Sequence, residues 1–367
     1  MAGLSAAGGG EGALRVVAIG GGTGLSTLLR GLKRYVPAPH RRKRRRSDWE
    51  EASAKNAADH CLAGRCVVTE LSAIVTVTDD GGSSGRLRED FKMLPPGDVR
   101  NCMVALSEDE HLLSKLFQVR FDQGELQGHS FGNLFVAALS QITGDFAEAV
   151  QMSSQILATR GKIFPATNAN VTLAAQMDDG SVVRGETNIT ASKQSIVELM
   201  LEPAAADPLS ETLEAIASAD LITIGPGSLY TSLITNLLVR GIPEALATSK
   251  ATKVFVCNLM TQANESLGLT ASQHIEKILR HCGGVKAPIF DYALINTAPI
   301  SPATQIQYAR EGQEPIEPDL ERVRTLGVEP ITGNFVHEGD VLRHDYDRVA
   351  EVLLELGLRR PAPALAE

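Results

Sequence analysis

Aromatic residues are scarce in this chain, 4% of 367 positions with a single tryptophan. A core so short of rings must be filled by aliphatic side chains, and 33 glycines with 17 prolines imply many tightly built turns. Cysteine is as sparse. Cys61, Cys66, Cys102, Cys257 and Cys282 form no C-x-x-C pair, so neither a disulfide framework nor a zinc site is expected and the five read as free thiols. No run of about 18 apolar residues is present, so a spanning helix is not expected. Residues 1–14 have neither a cationic start nor an apolar stretch of leader length, and the expected compartment is the cytoplasm, without membrane insertion.

Positive charge is also short. The formal net charge is −9, and six of the 35 basic residues stand in one run, Arg41 to Arg46. The other 29 face 44 acidic residues. A nucleic-acid-binding face spreads basic charge over the fold to neutralise phosphates, so nucleic acid is not expected as a partner. With 43% apolar and 22% charged positions the composition is that of a globular protein, and fibrous and disordered classes are excluded.

What is present is a repeated rhythm of strand, polar loop and helix. Val16 to Ile19 is an apolar, β-branched run that stops at Gly20-Gly21-Gly22-Thr23-Gly24, after which Leu25, Leu28, Leu29 and Leu32 recur at helical spacing. Ala73 to Val77 is a second strand signal, ending at Thr78-Asp79-Asp80-Gly81-Gly82-Ser83-Ser84-Gly85. Helical patterns fill about 98 to 158. Two short runs then flank the turn Asp178-Asp179-Gly180, which predicts an antiparallel hairpin appendage at about 165–205. The rhythm returns with a helix near 208–218, with Leu221 to Ile224 before Gly225-Pro226-Gly227-Ser228 and a leucine-spaced helix, and with strands ending at Asn258 and Asn296. A helix from Val349 to Leu358 closes the pattern. The expected fold is α/β: a doubly wound, mainly parallel Rossmann-like sheet with a small antiparallel hairpin appendage. One domain spans 15–358, interrupted by a basic insertion at 37–66 and flanked by tails at 1–14 and 359–367.

In such sheets ligands bind beyond the carboxyl ends of the strands, near the switch point. The Gly20–Gly24 loop lets backbone N–H groups approach a phosphate at the start of a helix, where the helix dipole favours an anion. Leu25 stands where a dinucleotide fingerprint has Gly or Ala, and no Gly-Lys-Ser/Thr follows, so neither NAD nor a Walker loop is implied. Asp79 and Asp80 end a strand, where an acid bonds a ribose or holds Mg²⁺ beside a ligand phosphate. Ser83 and Ser84 belong to a glycine-rich nest for a second anion. Gly227 and Ser228 offer another helix start. His129 and Asn133 lie four apart and share a face if a helix begins there; His129 reads as a hydrogen-bonding group or a general base. No nucleophile elbow or H-E-x-x-H is present, and catalytic residues are not assigned.

These words, with Pro95-Pro96-Gly97-Asp98-Val99-Arg100-Asn101, Gly128-His129-Ser130-Phe131-Gly132-Asn133, Gly225 to Ser232 and Asn258-Leu259-Met260-Thr261-Gln262, form an ordered series. It resembles the YvcK family of gluconeogenesis factors, within the CofD-like superfamily, from about residue 15 to 350. The resemblance implies a protein that binds UDP-activated sugars, notably UDP-N-acetylglucosamine, and links carbon metabolism to cell-wall synthesis and cell shape. The superfamily's enzyme branch implies the alternative, a transferase placing 2-phospholactate from a guanylyl donor onto a deazaflavin precursor with Mg²⁺. By motif match the nucleotide contacts Gly21, Gly22, Thr23, Gly24, Asn133, Gly227, Ser228, Asn258, Thr261 and Gln262. Arg343 falls where the family has an arginine important for UDP-sugar binding. An unidentified regulatory protein partner and a homodimer are expected. Two loops depart from the family: Ala263-Asn264-Glu265-Ser266 stands for Pro-Gly-Glu-Thr, and Thr235 for a usual proline, changes expected to soften both.

Overall fold

A computed structural model describes residues 13–37, 66–108, 112–285 and 288–359. The basic run at 41–46, nearly all of the insertion and most of both expected tails lie outside the described residues.

Seven strands make one parallel sheet: β1 (Leu14–Gly20), β2 (Val68–Val75), β3 (Lys162–Pro165), β7 (Leu221–Ile224), β8 (Thr252–Val256), β9 (Tyr292–Asn296) and β10 (Glu329–Gly333), in the order β10-β9-β8-β7-β1-β2-β3. The chain steps from β1 outward to β2 and β3, then returns to β7 on the other side of β1. The switch point is therefore the gap between β1 and β7. Along β1, Val16 and Ala18 enter one apolar cluster while Val17 and Ile19 enter the other. Both faces of the sheet are covered, which is why its strands read as unbroken apolar runs.

The helix Gly22–Lys33 buries Leu25, Leu28, Leu29 and Leu32, as their spacing predicts. Its Gly31 touches the C-terminal helix Tyr346–Leu358 so closely that an added Cβ would stand 2.3 Å from the Tyr346 carbonyl oxygen. Backbone cannot swing aside as a flexible side chain can. Gly31→Ala is expected to cost about 1–3 kcal/mol, the usual range for overpacking, read as a lowered denaturation midpoint with an unchanged slope.

The appendage is larger than a hairpin. The strands β4 (Thr172–Met177), β5 (Val182–Arg184) and β6 (Ile196–Glu202) form a three-stranded antiparallel sheet, β5-β4-β6. The turn at Gly180 (φ +84°) is where the sequence places it, and the short helix Glu186–Ala191 fills the crossing to β6. His281 fastens this sheet to the body: its Nδ1 donates to the Lys277 carbonyl at 2.7 Å and its Nε2 accepts from Leu199 N–H at 3.0 Å. Burial lowers the pKa of His281 and keeps the accepting nitrogen bare. A two-stranded hairpin, β11 (Val336–Glu338) with β12 (Leu342–His344), precedes the C-terminal helix.

Cys102, Cys257 and Cys282 are buried free thiols, whereas Cys66 is disulfide-bonded, against the expectation of five free thiols. No helix among the described residues is long and apolar enough to cross a membrane.

Candidate functional site

The loops that end β1 and β7 meet over the switch point. Gly24, in the first turn of the helix Gly22–Lys33, lies against Pro226, and a Cβ at Gly24 would stand 2.3 Å from the Pro226 carbonyl oxygen and 3.0 Å from the Gly227 nitrogen. Gly21 is equally confined: its Cβ would meet Thr76 Cγ2 at 2.5 Å and Asp98 Oδ2 at 2.7 Å. Asn258, just past β8, clasps the second loop from both sides, accepting from Gly227 N–H at 3.2 Å and donating to the Gly227 carbonyl at 2.7 Å. Gln262 Nε2 donates to Ser228 Oγ at 2.9 Å, and its buried Oε1 meets no partner among the described residues. From the far end of the chain, Arg343 on β12 reaches over and donates from Nη1 to Thr23 Oγ1 at 3.1 Å. Gly24, Gly227, Ser228, Asn258, Gln262, Thr23 and Arg343 thus stand together.

A second group gathers beyond β2. Ser83 Oγ lies 3.1 Å from His129 Nδ1 and accepts from Asn133 Nδ2 at 3.2 Å, with Ser84 Oγ 3.5 Å from the same amide. The helix begins at Phe131 with Ser130 as its cap, so His129 precedes it instead of sharing its face with Asn133; the two meet through Ser83. Burial and the Arg86 charge lower the His129 pKa.

Asp79 and Asp80 do different work. Asp79 Oδ1 accepts from Gly81 N–H at 2.9 Å, and its Oδ2 faces Gly97. Asp80 Oδ1 accepts from Thr187 N–H at 2.8 Å and Thr187 Oγ1 at 2.6 Å, tying the appendage to the β2 loop. Among the described residues no group of three or more His, Cys, Asp or Glu side chains is placed to hold a metal. Asp79 Oδ2 fits the lesser demand of Mg²⁺, which takes one or two carboxylate oxygens and completes its shell from ligand phosphates and water. Thr261 is set differently from its site neighbours: it pairs with Glu314 through both its N–H (2.8 Å) and its Oγ1 (3.0 Å).

Three carboxylates escape a reading of the sequence. Asp98 accepts from Gly22 N–H at the helix start; burial and the Asp79 charge hold its pKa up at about 6. Glu265 accepts from Tyr230 N–H and Thr231 Oγ1, both at 3.2 Å, and so caps the segment Leu229–Ile234. Glu186 stands where Asp79, Asp98, Glu265 and Asp80 all bear on it, and burial with their repulsion pushes it to about 9. Asp98 was within reach, since it lies in a recognised word of the sequence; nothing local marks Glu186.

Leu229–Ile234 is a π-helix, not the α-turn its leucine spacing suggests. Leu233 N–H reaches back five residues to Ser228, and Thr235 Oγ1 lies within bonding distance of the carbonyls of Tyr230 (2.8 Å) and Thr231 (3.1 Å). Such wide turns recur at functional sites. Thr235 secures the turn, and Ser266 Oγ accepts from Gln262 N–H at 3.0 Å.

Residues 16–336 match the family model described as 2-phospho-L-lactate transferase CofD. The chain is 46% identical to a gluconeogenesis factor of Halalkalibacterium halodurans over 342 residues, 93% of this chain and 95% of that protein. It is 43% identical to the gluconeogenesis factor of Bacillus subtilis over 344 residues, 93% of this chain and 98% of that one. A crystal structure of a UPF0052 family member from Bacillus halodurans superposes with a TM-score of 0.82 at 46% identity, covering 94% of this chain and 99% of the other. By sequence along nearly its whole length and by fold, the chain belongs to the gluconeogenesis-factor family of CofD-type proteins.

Proposed function

We propose that the protein is a UDP-sugar-binding regulator, responsive to UDP-N-acetylglucosamine, that links carbon metabolism to cell-wall synthesis and cell shape. The observation that carries this reading is the meeting of two glycine loops at Gly24 and Pro226 under the Arg343 guanidinium. Close backbone approach, helix starts and a forked cation are what a pyrophosphate requires. In this reading the protein acts in the cytoplasm as a homodimer and passes its signal to a protein partner.

Isothermal titration with UDP-N-acetylglucosamine, with GDP and NAD alongside and Mg²⁺ present or absent, tests it. Selective, saturable UDP-sugar binding without turnover is expected. Binding of GDP alone, and only with Mg²⁺, would instead support phospholactate transfer, in which Asp79 would hold the metal.

The affinity should depend on pH. The pyrophosphate diester of a UDP-sugar keeps its charge between pH 5.5 and 8, so any change reports the protein. An anion bound near Gly22 favours the protonated form of Asp98, whose pKa in the free protein is about 6. Affinity is therefore expected to rise as pH falls from 8 and to level off below about 6, with proton uptake on binding. Titrations in buffers of different ionisation enthalpy measure that uptake; a flat profile without uptake would remove Asp98 from the anion's surroundings.

A further inference from the structure

Arginines elsewhere in the fold find carboxylates, as Arg15 does in Asp220 and Arg160 in Glu108, both at 3.0 Å. Those around the loop that leads into the helix Phe131–Thr143 do not. Arg86 Nη2 donates to the Gln127 carbonyl at 2.8 Å, Arg120 Nη1 to the Gly128 carbonyl at 2.6 Å, and Arg100 Nη1 to Ser130 Oγ at 2.8 Å. Arg100 Nη2 donates to Asn101 Oδ1, also at 2.8 Å. Every one of these acceptors is neutral, and no carboxylate among the described residues bonds any of the three guanidiniums. They come from separate places, the helix Gly82–Phe91, the helix Gly97–Leu106 and the residue bridged to Ser130, yet they meet over Gln127 to Ser130 with His129 among them.

Such a gathering is unfavourable by itself, because like charges repel more strongly where water is partly excluded. Burial and then the Arg120 charge pull the pKa of Arg100 down, against the attraction of Asp98 and Asp79. Burial, Arg86 and Arg120 lower that of His129, with Asp90 opposing them. The loop is nevertheless built to keep the cations there. Gly128 has φ +81°, and a Cβ on it would stand 2.8 Å from Arg86 Nη2. Phe121 holds the loop through both of its backbone groups, accepting from Gly128 N–H at 2.7 Å and donating to the His129 carbonyl at 2.9 Å. A guanidinium carries several N–H donors. Arg86 and Arg120 are exposed and each uses one nitrogen on the protein, so donors remain for a ligand.

We propose that Arg86, Arg100 and Arg120, with His129, form a second anion site beside the glycine-loop cradle, which takes a phosphate dianion, either inorganic phosphate or the monoester of a small metabolite. A doubly charged oxyanion relieves the repulsion among the cations, and planar guanidinium forks match its oxygens. The inference does not depend on the UDP-sugar reading.

Inorganic phosphate and glucose 6-phosphate are the probes, with glucose as the neutral control, in calorimetric titrations at about pH 7.5, where a phosphate monoester is largely a dianion. Both anions are expected to bind saturably and glucose not at all; the tighter of the two anions identifies whether the site takes the free ion or the ester. Arg86→Gln and Arg120→Gln each keep an N–H for the loop carbonyl and should weaken phosphate binding about tenfold, the scale of one hydrogen bond between charged groups. Arg322→Gln, on the remote helix Leu320–Thr325, leaves it unchanged. Saturating UDP-N-acetylglucosamine fills the cradle and should leave the phosphate affinity as it was. Absence of binding by either anion overturns the proposal. So does an affinity unmoved in the Arg86→Gln, Arg120→Gln double variant with a wild-type melt, and competition between UDP-N-acetylglucosamine and phosphate overturns a separate site. Should the UDP-sugar itself fail to bind, the arginine variants decide this inference alone.

Discussion

Gly24→Ala is expected to abolish UDP-sugar binding, beyond the reach of millimolar titration, while the protein still folds. The β1 and β7 loops touch at this residue, and a methyl group there would lie 2.3 Å from a carbonyl oxygen. Relief requires the loops to part by more than 1 Å, because both contact partners are backbone and Asn258 holds Gly227 from two sides. A displacement on that scale disrupts a cradle that binds through fixed N–H groups. The expected stability loss is about 1–3 kcal/mol, a minor part of what a chain of this size commands, so loss of binding with a retained cooperative melt is the outcome to look for. Binding at wild-type strength would place the ligand away from the two loops.

Arg343→Ala is expected to weaken UDP-N-acetylglucosamine binding by about tenfold to a hundredfold, the range for a hydrogen bond to a charged group. Arg343 is exposed and its one side-chain bond among the described residues is to Thr23 Oγ1, so the melting temperature should barely move. Arg343→Lys should recover only part of the affinity, since an ammonium cannot match a pyrophosphate with a planar fork. Unchanged affinity in the alanine variant would remove Arg343 from the site. The two substitutions probe opposite sides of the bound anion, one through backbone spacing and one through charge.

The ease of reading each part of the chain follows from how local its cause is. The strands β1, β7, β8 and β9 announce themselves as buried β-branched runs cut off by glycine or asparagine, and the sheet places those ends side by side. The edge strands are silent: β3 has four residues, and β10 carries Pro330, which lacks a donor and is tolerated only at an edge. The β11–β12 hairpin has three residues on each side, too few for a period to show. Arg343 was therefore reached by resemblance and not by pattern. The site divides the same way. Glycine loops are legible because the chain must turn tightly there, whereas Asp98, Glu186 and Glu265 act through neighbours brought in from distant segments. The π-helix escapes because its cause is a hydroxyl bond at Thr235 and a cap at Glu265, neither of which alters leucine spacing.

The helix Gly22–Lys33 is held at both ends by one short stretch of chain. Arg343 reaches its first turn, and the helix Tyr346–Leu358 that follows in the same segment presses Tyr346 and Ala350 against Gly31 in its last turns. Occupancy at the front of this rod and anchorage at its rear are mechanically coupled. A ligand drawing Arg343 inward also tightens the seat of the final helix, so amide protons of both helices should slow their exchange together on binding, while those of the outlying β3 edge keep their rates.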